Sequence, residues 1–344
     1  MRMPESACLL ADLVAVPSPT GQEQDAARLL VDRMTRFGWE SAHLDGMGSV
    51  IAYKGKGDKE LVLMSHIDTV PGGPKFLIND EIIRGRGSVD AKGPCCAMAV
   101  AGGSVQVPAD WRITFVGAVG EEIDSRGARF RLPLHEPTAV IVGEPTGSDA
   151  VALSYRGRVL FSFASEDEGA HRSGNPGPMT AVIRAASSMC DIVSGMGPNY
   201  TIAVMEMSGS EHGTRSGKAI MDFRFPLGTE KDDVELRLNE TAAAFGVELN
   251  IIEYVPPFGI HKSDPLIRAF RNAIRENGDK PKLLAKQGTC DLNVIAPWGC
   301  KMCAYGPGDS KYDHTSYEQT KIAEYLNGIE VLKLALPKVM EEIK

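Results

Sequence analysis

No stretch of this sequence reaches the roughly 18 consecutive apolar residues that a bilayer-spanning helix needs, so no membrane span is expected. A basic surplus is missing as well: 37 Lys and Arg stand against 45 Asp and Glu, a formal charge of -8. Nucleic-acid binding, which needs a basic face to meet phosphates, is thereby disfavoured. The opening MRMPESACLLADLV lacks the basic-then-apolar pattern of an export signal, and a cytoplasmic location is the expectation. A disulfide framework is not in evidence either, because the cysteines number seven and an odd set in a large chain suits a reducing compartment. Cys300 and Cys303 do form a C-x-x-C, a spacing that can hold zinc or run redox chemistry. There is no second pair to complete a four-ligand site, and WGCKMCAYG looks like a buried strand, so buried thiols are expected there. Repeats and low-complexity stretches are also absent.

What is present is a globular composition, 43% hydrophobic and 24% charged, in a chain of 344 residues. That length is near the practical limit of one core, so two domains are expected. Helical spacing marks 5–16 and 22–37, the first broken by PSPTG and the second by Gly38. Short β-type runs follow (SVIAYKG, ELVLMSHI, WRITFVGAV, TAVIVGE), with the small-residue helix AKGPCCAMAVAGGSV among them. Strands alternating with helices indicate an α/β fold, a mixed sheet covered by helices. From 152 the pattern changes to strand 152–164, helix 178–196, strand 200–208, strand 218–226, helix 231–245, strand 247–254. That order is the ferredoxin-like βαββαβ arrangement. The first pattern resumes after Pro256-Pro257, with helices at 265–277 and 317–336. The expected division is therefore a catalytic domain of 1–152 and 262–344 and an inserted domain of 153–261.

The chemistry-bearing residues fall at the ends of the apolar runs. His66 and Asp68 follow LVLM, and alone His66 reads as a satisfied core histidine. Asp90 lies in GRGSVDAKG, where it equally suits a helix N-cap. Glu121 and Glu122 close the apolar strand ITFVGAV, and Glu144 closes TAVIVG; acids there are costly unless positive charge sits beside them. His314 follows the glycine-rich YGPGDS. Individually each is weak. As a set they place histidines and carboxylates along one rim of one sheet. Mixed His and carboxylate ligands without thiolate suit zinc, cobalt or manganese, and more than four of them suit two ions.

These motifs, with PSPTGQE near the start and the inserted domain, resemble the dizinc peptidase family that contains acetylornithine deacetylase, succinyl-diaminopimelate desuccinylase, aminoacylase and carboxypeptidase G. The resemblance covers the whole chain and implies a division of labour. His66 and Glu144 would bind one divalent ion, zinc or cobalt, Glu122 and His314 the second, and Asp90 would bridge them. Asp68 would orient the His66 imidazole, and Glu121 would be the general base. His171, in GAHRSG, would reach a neighbouring subunit's site and stabilise the oxyanion, which implies a homodimer or a higher homo-oligomer. Arg224 would bind a substrate carboxylate and Thr289, in GTCD, would offer donors to substrate. A surface role for His171 and a solvated strand face for Arg224 stay open. Ser65 departs from the glycine many relatives carry before the histidine.

Within that family SYRGRV, KQGTCDLNVIAPWG and YGPGDSKYDHTSYEQTKIAEYLNGIEVLK look most like the branch that releases lysine or ornithine from the terminal glutamate of a small acidic amino-group carrier protein (LysW type), in lysine and arginine biosynthesis. An acidic enzyme meeting an acidic carrier needs local positive charge, and Arg126, Arg129 and Arg131 are the candidates for it. The alternatives are a small-molecule deacylase acting on acetyl-lysine, acetylornithine or succinyl-diaminopimelate, a zinc exopeptidase, and a non-catalytic metal-binding relative.

Overall fold

The computed structural model describes residues 3–169, 171, 174, 176–210 and 212–343, and these pack as two units. The first comprises Met1–Ser154, Ile260–Ala285 and Cys290–Lys344. The second comprises Tyr155–Gly259 together with Lys286–Thr289, a short segment that the hydrophobic pattern does not set apart. It is held there in part by the main-chain N–H of Arg156, which donates to the Gly288 carbonyl at 3.1 Å.

In chain order the first unit contributes α1 (Glu5–Ala15), α2 (Gln24–Met34), β1 (Ser41–Leu44), β2 (Val50–Gly55), β3 (Lys59–His66), β4 (Leu77–Ile78), β5 (Ile82–Arg84), α3 (Lys92–Ser104), β6 (Trp111–Ala118), α4 (Arg126–Arg131), β7 (Ala139–Gly143) and β8 (Ala150–Tyr155). Its large sheet is ordered β1-β2-β6-β3-β7, continuing through β15 (Lys301–Ala304) to β8. The middle of that sheet, β6-β3-β7-β15, is parallel, and β2 runs antiparallel to β6. β3 is buried on both faces: Leu61 and Leu63 join a core with α1, α2 and α3, while Val62 and Met64 are equally buried opposite. Coverage of both faces is why its sequence is a continuous apolar run instead of an alternation. α3 can lie close against the sheet because it is small: a Cβ on Gly102 would stand 2.7 Å from the Leu63 side chain.

The second unit contains β9 (Gly157–Asp167), α5 (Pro178–Gly195), β10 (Thr201–Ser210), β11 (Arg215–Phe225), α6 (Lys231–Phe245) and β12 (Glu248–Val255). Its sheet is ordered β10-β11-β9-β12 with antiparallel neighbours, the ferredoxin-like order. Phe161, Phe163, Phe223 and Phe225 fill the core under α5 and α6. β10 is an edge strand and exposes Val204, Met205 and Met207. The single strand expected over 152–164 is two strands, β8 and β9, broken at Arg156; β-type composition on both sides of the break does not reveal a change of sheet.

Beyond β12 come β13 (Phe258–Gly259), α7 (Pro265–Glu276), β14 (Lys282–Lys286), α8 (Asp291–Ile295), β15, β16 (Gln319–Lys321) and α9 (Ile322–Glu342). α9 starts later than the expected 317 because 319–321 pair with β5, giving the three-stranded order β16-β5-β4. The cysteines are all free; Cys303 is buried on β15 and Cys300 is half-buried beside it. Among the described residues no helix is long and apolar enough to cross a membrane.

One buried charge network lies at the start of β3, the end opposite His66. His135 Nδ1 donates to Glu60 Oε1 at 3.0 Å, and Thr114 and Arg112 also donate to that carboxylate. His135 Nε2 in turn accepts from Arg131 Nε at 3.0 Å, and Arg131 Nη1 reaches Asp45 at 3.4 Å. Burial opposes the charged form of Glu60, but these donors outweigh it and hold the carboxyl down at about 2. Its folded value lies below the unfolded one, so the stabilisation, roughly 3 kcal/mol, is complete above the ordinary carboxylate range and is lost as pH falls through about 2. Urea denaturation of the wild type and Glu60→Gln should show a stability gap that is widest at neutral pH and closes between about pH 5 and pH 2. A gap independent of pH would contradict this.

Candidate active site

The parallel strands of the large sheet end in step. β3 pairs with β6 through His66 and Ala118 and with β7 through Ser65 and Gly143. His66, the Glu121–Glu122 turn and Glu144 therefore leave the sheet along one rim, the place where α/β sheets gather their ligand sites. Ser65 fits because residue 143 is glycine, and its hydroxyl donates to the Gly143 carbonyl at 2.8 Å. Asp90 comes from the loop before α3, where the Asp90–Ala91 peptide is cis. His314 comes from the loop after β15 and sits in the left-handed region at φ 59°.

Ligand-type atoms of His66, Asp90 and Glu122 lie within 4.8 Å of one another. His66 Nε2 is 3.3 Å from Asp90 Oδ1, and His314 Nε2 is 3.1 Å from both Asp90 Oδ2 and Glu122 Oε1. Asp90 thus stands between the two imidazoles. Glu121 Oε2 lies 4.0 Å from His66 Nε2. Glu144 is buried at the end of β7, and its charge is felt by Glu121. The His66 imidazole is set by its other nitrogen: Nδ1 donates to the main-chain carbonyl of Asp68 at 2.9 Å, with the Asp68 carboxylate at 3.5 Å. That bond leaves Nε2 facing the cluster as the free lone pair.

The fully buried Asp68 carboxylate has further partners. Its oxygens accept from the main-chain N–H groups of Glu121 at 3.0 Å and Glu122 at 3.2 Å and from the Thr20 hydroxyl at 2.7 Å. Burial raises its pKa, but these donors and His66 prevail and hold it below the usual carboxylate range. Glu121 goes the other way: burial pushes it well up, His66 opposes, and the charges of Glu144, Asp291 and Glu122 add to the rise. The carboxylates of Asp90, Glu121 and Glu122 thus crowd around two imidazoles, with the charge of Glu144 close enough to act on Glu121, and the surplus negative charge in oxygen and nitrogen donors fits divalent cations.

Sequence reasoning missed three groups here. Asp291, at the start of α8, is almost wholly buried and pushed up to about 6 by burial, with His66 opposing; within GTCD only the donors drew notice. Glu318 and Arg86 form an ion pair at 2.6 Å behind Asp90. Their signal in the sequence is only that an acid follows His314 by four residues and an arginine precedes Asp90 by four.

The remaining candidates lie in the second unit. His171 is exposed. Arg224 donates from Nε and Nη2 to Asp222 at 3.2 and 3.3 Å, and its Nη1 approaches Gly288 next to the half-buried Thr289. The expectation of a basic surface at 126–131 needs correction. Arg131 is buried in the Glu60 network, Arg126 pairs with Glu23 at 2.9 Å, and Arg129 Nε donates to the Asp124 carbonyl at 2.9 Å. Arg131 is therefore withdrawn from any docking surface, whereas Arg126 is half-buried and Arg129 stays exposed.

A family model described as peptidase family M20/M25/M40 matches residues 62–338, from the His66 strand to the last helix. The chain belongs to this family. It is a family of divalent-metal hydrolases, in keeping with the donor set at the rim. Among curated relatives, a Pyrococcus abyssi protein provisionally named a LysW-lysine/LysW-ornithine hydrolase is 37% identical over 336 residues, covering 96% of this chain and 93% of its own. A Deinococcus radiodurans LysW-lysine hydrolase is 33% identical over 350 residues, covering 96% of each. Among solved structures, the M20-family metallo-carboxypeptidase Sso-CP2 from Sulfolobus solfataricus superposes with a TM-score of 0.79 over 98% of this chain and 100% of its own. At 16% identity that last likeness concerns the fold alone.

The Asp68 geometry makes a direct prediction for this M20-family chain. In Asp68→Asn one acceptor oxygen becomes an N–H2 group facing a main-chain donor, which leaves that donor buried and unpaired. A loss of about 1–3 kcal/mol in urea denaturation at pH 7 is expected. An unchanged midpoint would show that the Glu121–Glu122 turn does not depend on this carboxylate.

Proposed function

We propose that the chain hydrolyses the amide between the terminal glutamate γ-carboxyl of a small acidic amino-group carrier protein of the LysW type and the α-amino group of lysine, ornithine or both. One observation carries the substrate class: relatives named for this reaction match at 33–37% identity along nearly the whole of both chains. The rim supports the chemistry. In this reading His66 and Glu144 would hold one ion and Glu122 and His314 the other, with Asp90 shared between them. Zinc or cobalt suits the donors. When bound, the ions supply Lewis acidity that polarises the scissile carbonyl and eases deprotonation of the attacking water. Glu121 takes that proton and delivers it to the leaving α-amine as the C–N bond breaks, so the same carboxylate serves as base and then as acid. Its buried, repelled setting raises its proton affinity, which suits a group that must both accept and release a proton. Asp68 holds the Glu121 and Glu122 main chain on one side and the His66 ring on the other.

The second unit is the lid and dimerisation domain in this proposal, and the division at 152/153 and 261/262 describes the insertion. The exposed apolar edge of β10 supports pairing with a second copy, because unprotected edge strands pair readily. His171 then serves the partner's oxyanion, Arg224 receives a substrate carboxylate, and Thr289 offers donors to the substrate. The pathway is lysine biosynthesis, with arginine biosynthesis where ornithine is accepted, in the cytoplasm.

Purified enzyme assayed against carrier-bound lysine, carrier-bound ornithine, acetyl-lysine and acetylornithine should turn over a carrier-bound substrate most efficiently. Efficient turnover of only the free acetylated amino acids would overturn the carrier reading in favour of a deacylase. Glu121→Gln should lower kcat by at least about two orders of magnitude while metal analysis still finds close to two ions per chain. Retained activity would refute the assignment of the base.

A further inference from the structure

Glu318 is fully buried and holds two separate parts of the rim. Its Oε1 accepts from the main-chain N–H groups of Val89 at 2.9 Å and Asp90 at 3.1 Å. Its Oε2 accepts from Arg86 Nη1 at 2.6 Å. Arg86 extends the grip: Nη2 donates to the His314 carbonyl at 3.4 Å and Nε to the Gly72 carbonyl at 3.3 Å. Gly73 leaves room for this, since a Cβ there would stand 2.9 Å from the Arg86 side chain. The main-chain N–H of Gly85 donates to the Glu318 carbonyl, and the β5–β16 pairing continues the tie.

We propose that Arg86 and Glu318 are positioning residues whose ion pair locks the Asp90 loop to the His314 loop, and that they set the affinity of the ion shared by Asp90, Glu122 and His314. Two features point past a general structural role. The bonds from Glu318 end on the N–H of Asp90 itself and of the residue before it, so they fix where that carboxylate starts. The Arg86 contact ends on His314, whose left-handed backbone a non-glycine residue keeps only where its surroundings impose it. Asp90 serves both ions in the dinuclear reading, but only the His314 side carries this second tie, because the His66 ring is fixed separately by Asp68. The pair therefore favours one ion over the other. Groups that orient metal ligands from behind commonly change affinity by about ten- to a hundredfold.

This inference rests on the dinuclear reading above, and titrating the full-length protein with zinc or cobalt after chelator treatment separates the two. Wild type should bind two ions; fewer would overturn the dinuclear reading, and the inference with it. Arg86→Lys and Glu318→Gln, which attack the pair from opposite sides, should keep the first ion within about threefold and bind the second about ten- to a hundredfold more weakly. His314→Ala identifies the second site, because its loss removes the same ion. Excess metal should restore kcat in both variants with KM unchanged. The double variant should cost less than the sum of the singles, since the residues act as one pair. Equal weakening of both ions, or a lower Tm with both affinities intact, would overturn the inference. Either single variant suffices if the other does not fold.

Discussion

Negative charge crowded at the ends of buried parallel strands is the constraint on which the rest of this molecule depends. Asp68, Glu121, Glu122 and Glu144 meet on one rim because β6, β3 and β7 run parallel and end in register, and the loop before α3 brings Asp90 to the same place. Carboxylates in such a place repel one another at short range and low dielectric, and each has also given up its water. The fold answers with fixed partners: main-chain N–H groups for Asp68, imidazoles for Asp90, and an arginine-paired carboxylate behind the Asp90 loop. The charge left over belongs to the cations of the M20 chemistry.

Buried carboxylates of this one sheet show how much the partners decide. Glu60 and Glu121 are both withdrawn from solvent, Glu60 at the start of β3 and Glu121 just past the end of its neighbour β6. Glu60 is surrounded by donors from His135, Thr114 and Arg112 and is held at about 2. Glu121 is flanked by other acids, with His66 opposing them, and is driven well above the ordinary range. Stability and reactivity thus come from the same residue type, separated by whether the nearby dipoles point toward the charge. The first arrangement makes a structural tie. The second makes a group suited to moving a proton.

Much of this was legible in the sequence because burial on both faces writes a strand as an uninterrupted apolar run. A polar residue that ends such a run is then conspicuous, as with LVLMSHID, ITFVGAVGEE and AVIVGEP. The βαββαβ order was legible for a similar reason, since α5 and α6 have clear helical spacing between strands. What stayed hidden is whatever depends on where distant segments meet. Glu318 lies 228 residues from Asp90, and no local pattern records that its carboxylate caps that loop. Arg131 illustrates the converse error. Three arginines within six residues look like a solvated basic face, yet Arg131 points inward to His135 and Asp45. Charge counted along a chain does not say which side of a helix meets the core.

That correction bears on how an acidic carrier is met. With Arg131 buried in the Glu60 network and Arg126 paired with Glu23, the positive charge that segment 126–131 presents outward is reduced chiefly to the exposed Arg129. The chain as a whole carries -8. At physiological ionic strength such charges are screened beyond about 8 Å, so overall repulsion slows encounter more than it weakens a seated complex. In the proposed reading, recognition would then fall to the few groups that meet the last residues of the carrier: the cations at the rim and a donor that reads a carboxylate. A substrate tail held mainly by its terminus would make the loaded rim both catalyst and binding site. A ligand set too loose to retain its second ion would weaken substrate binding and turnover together.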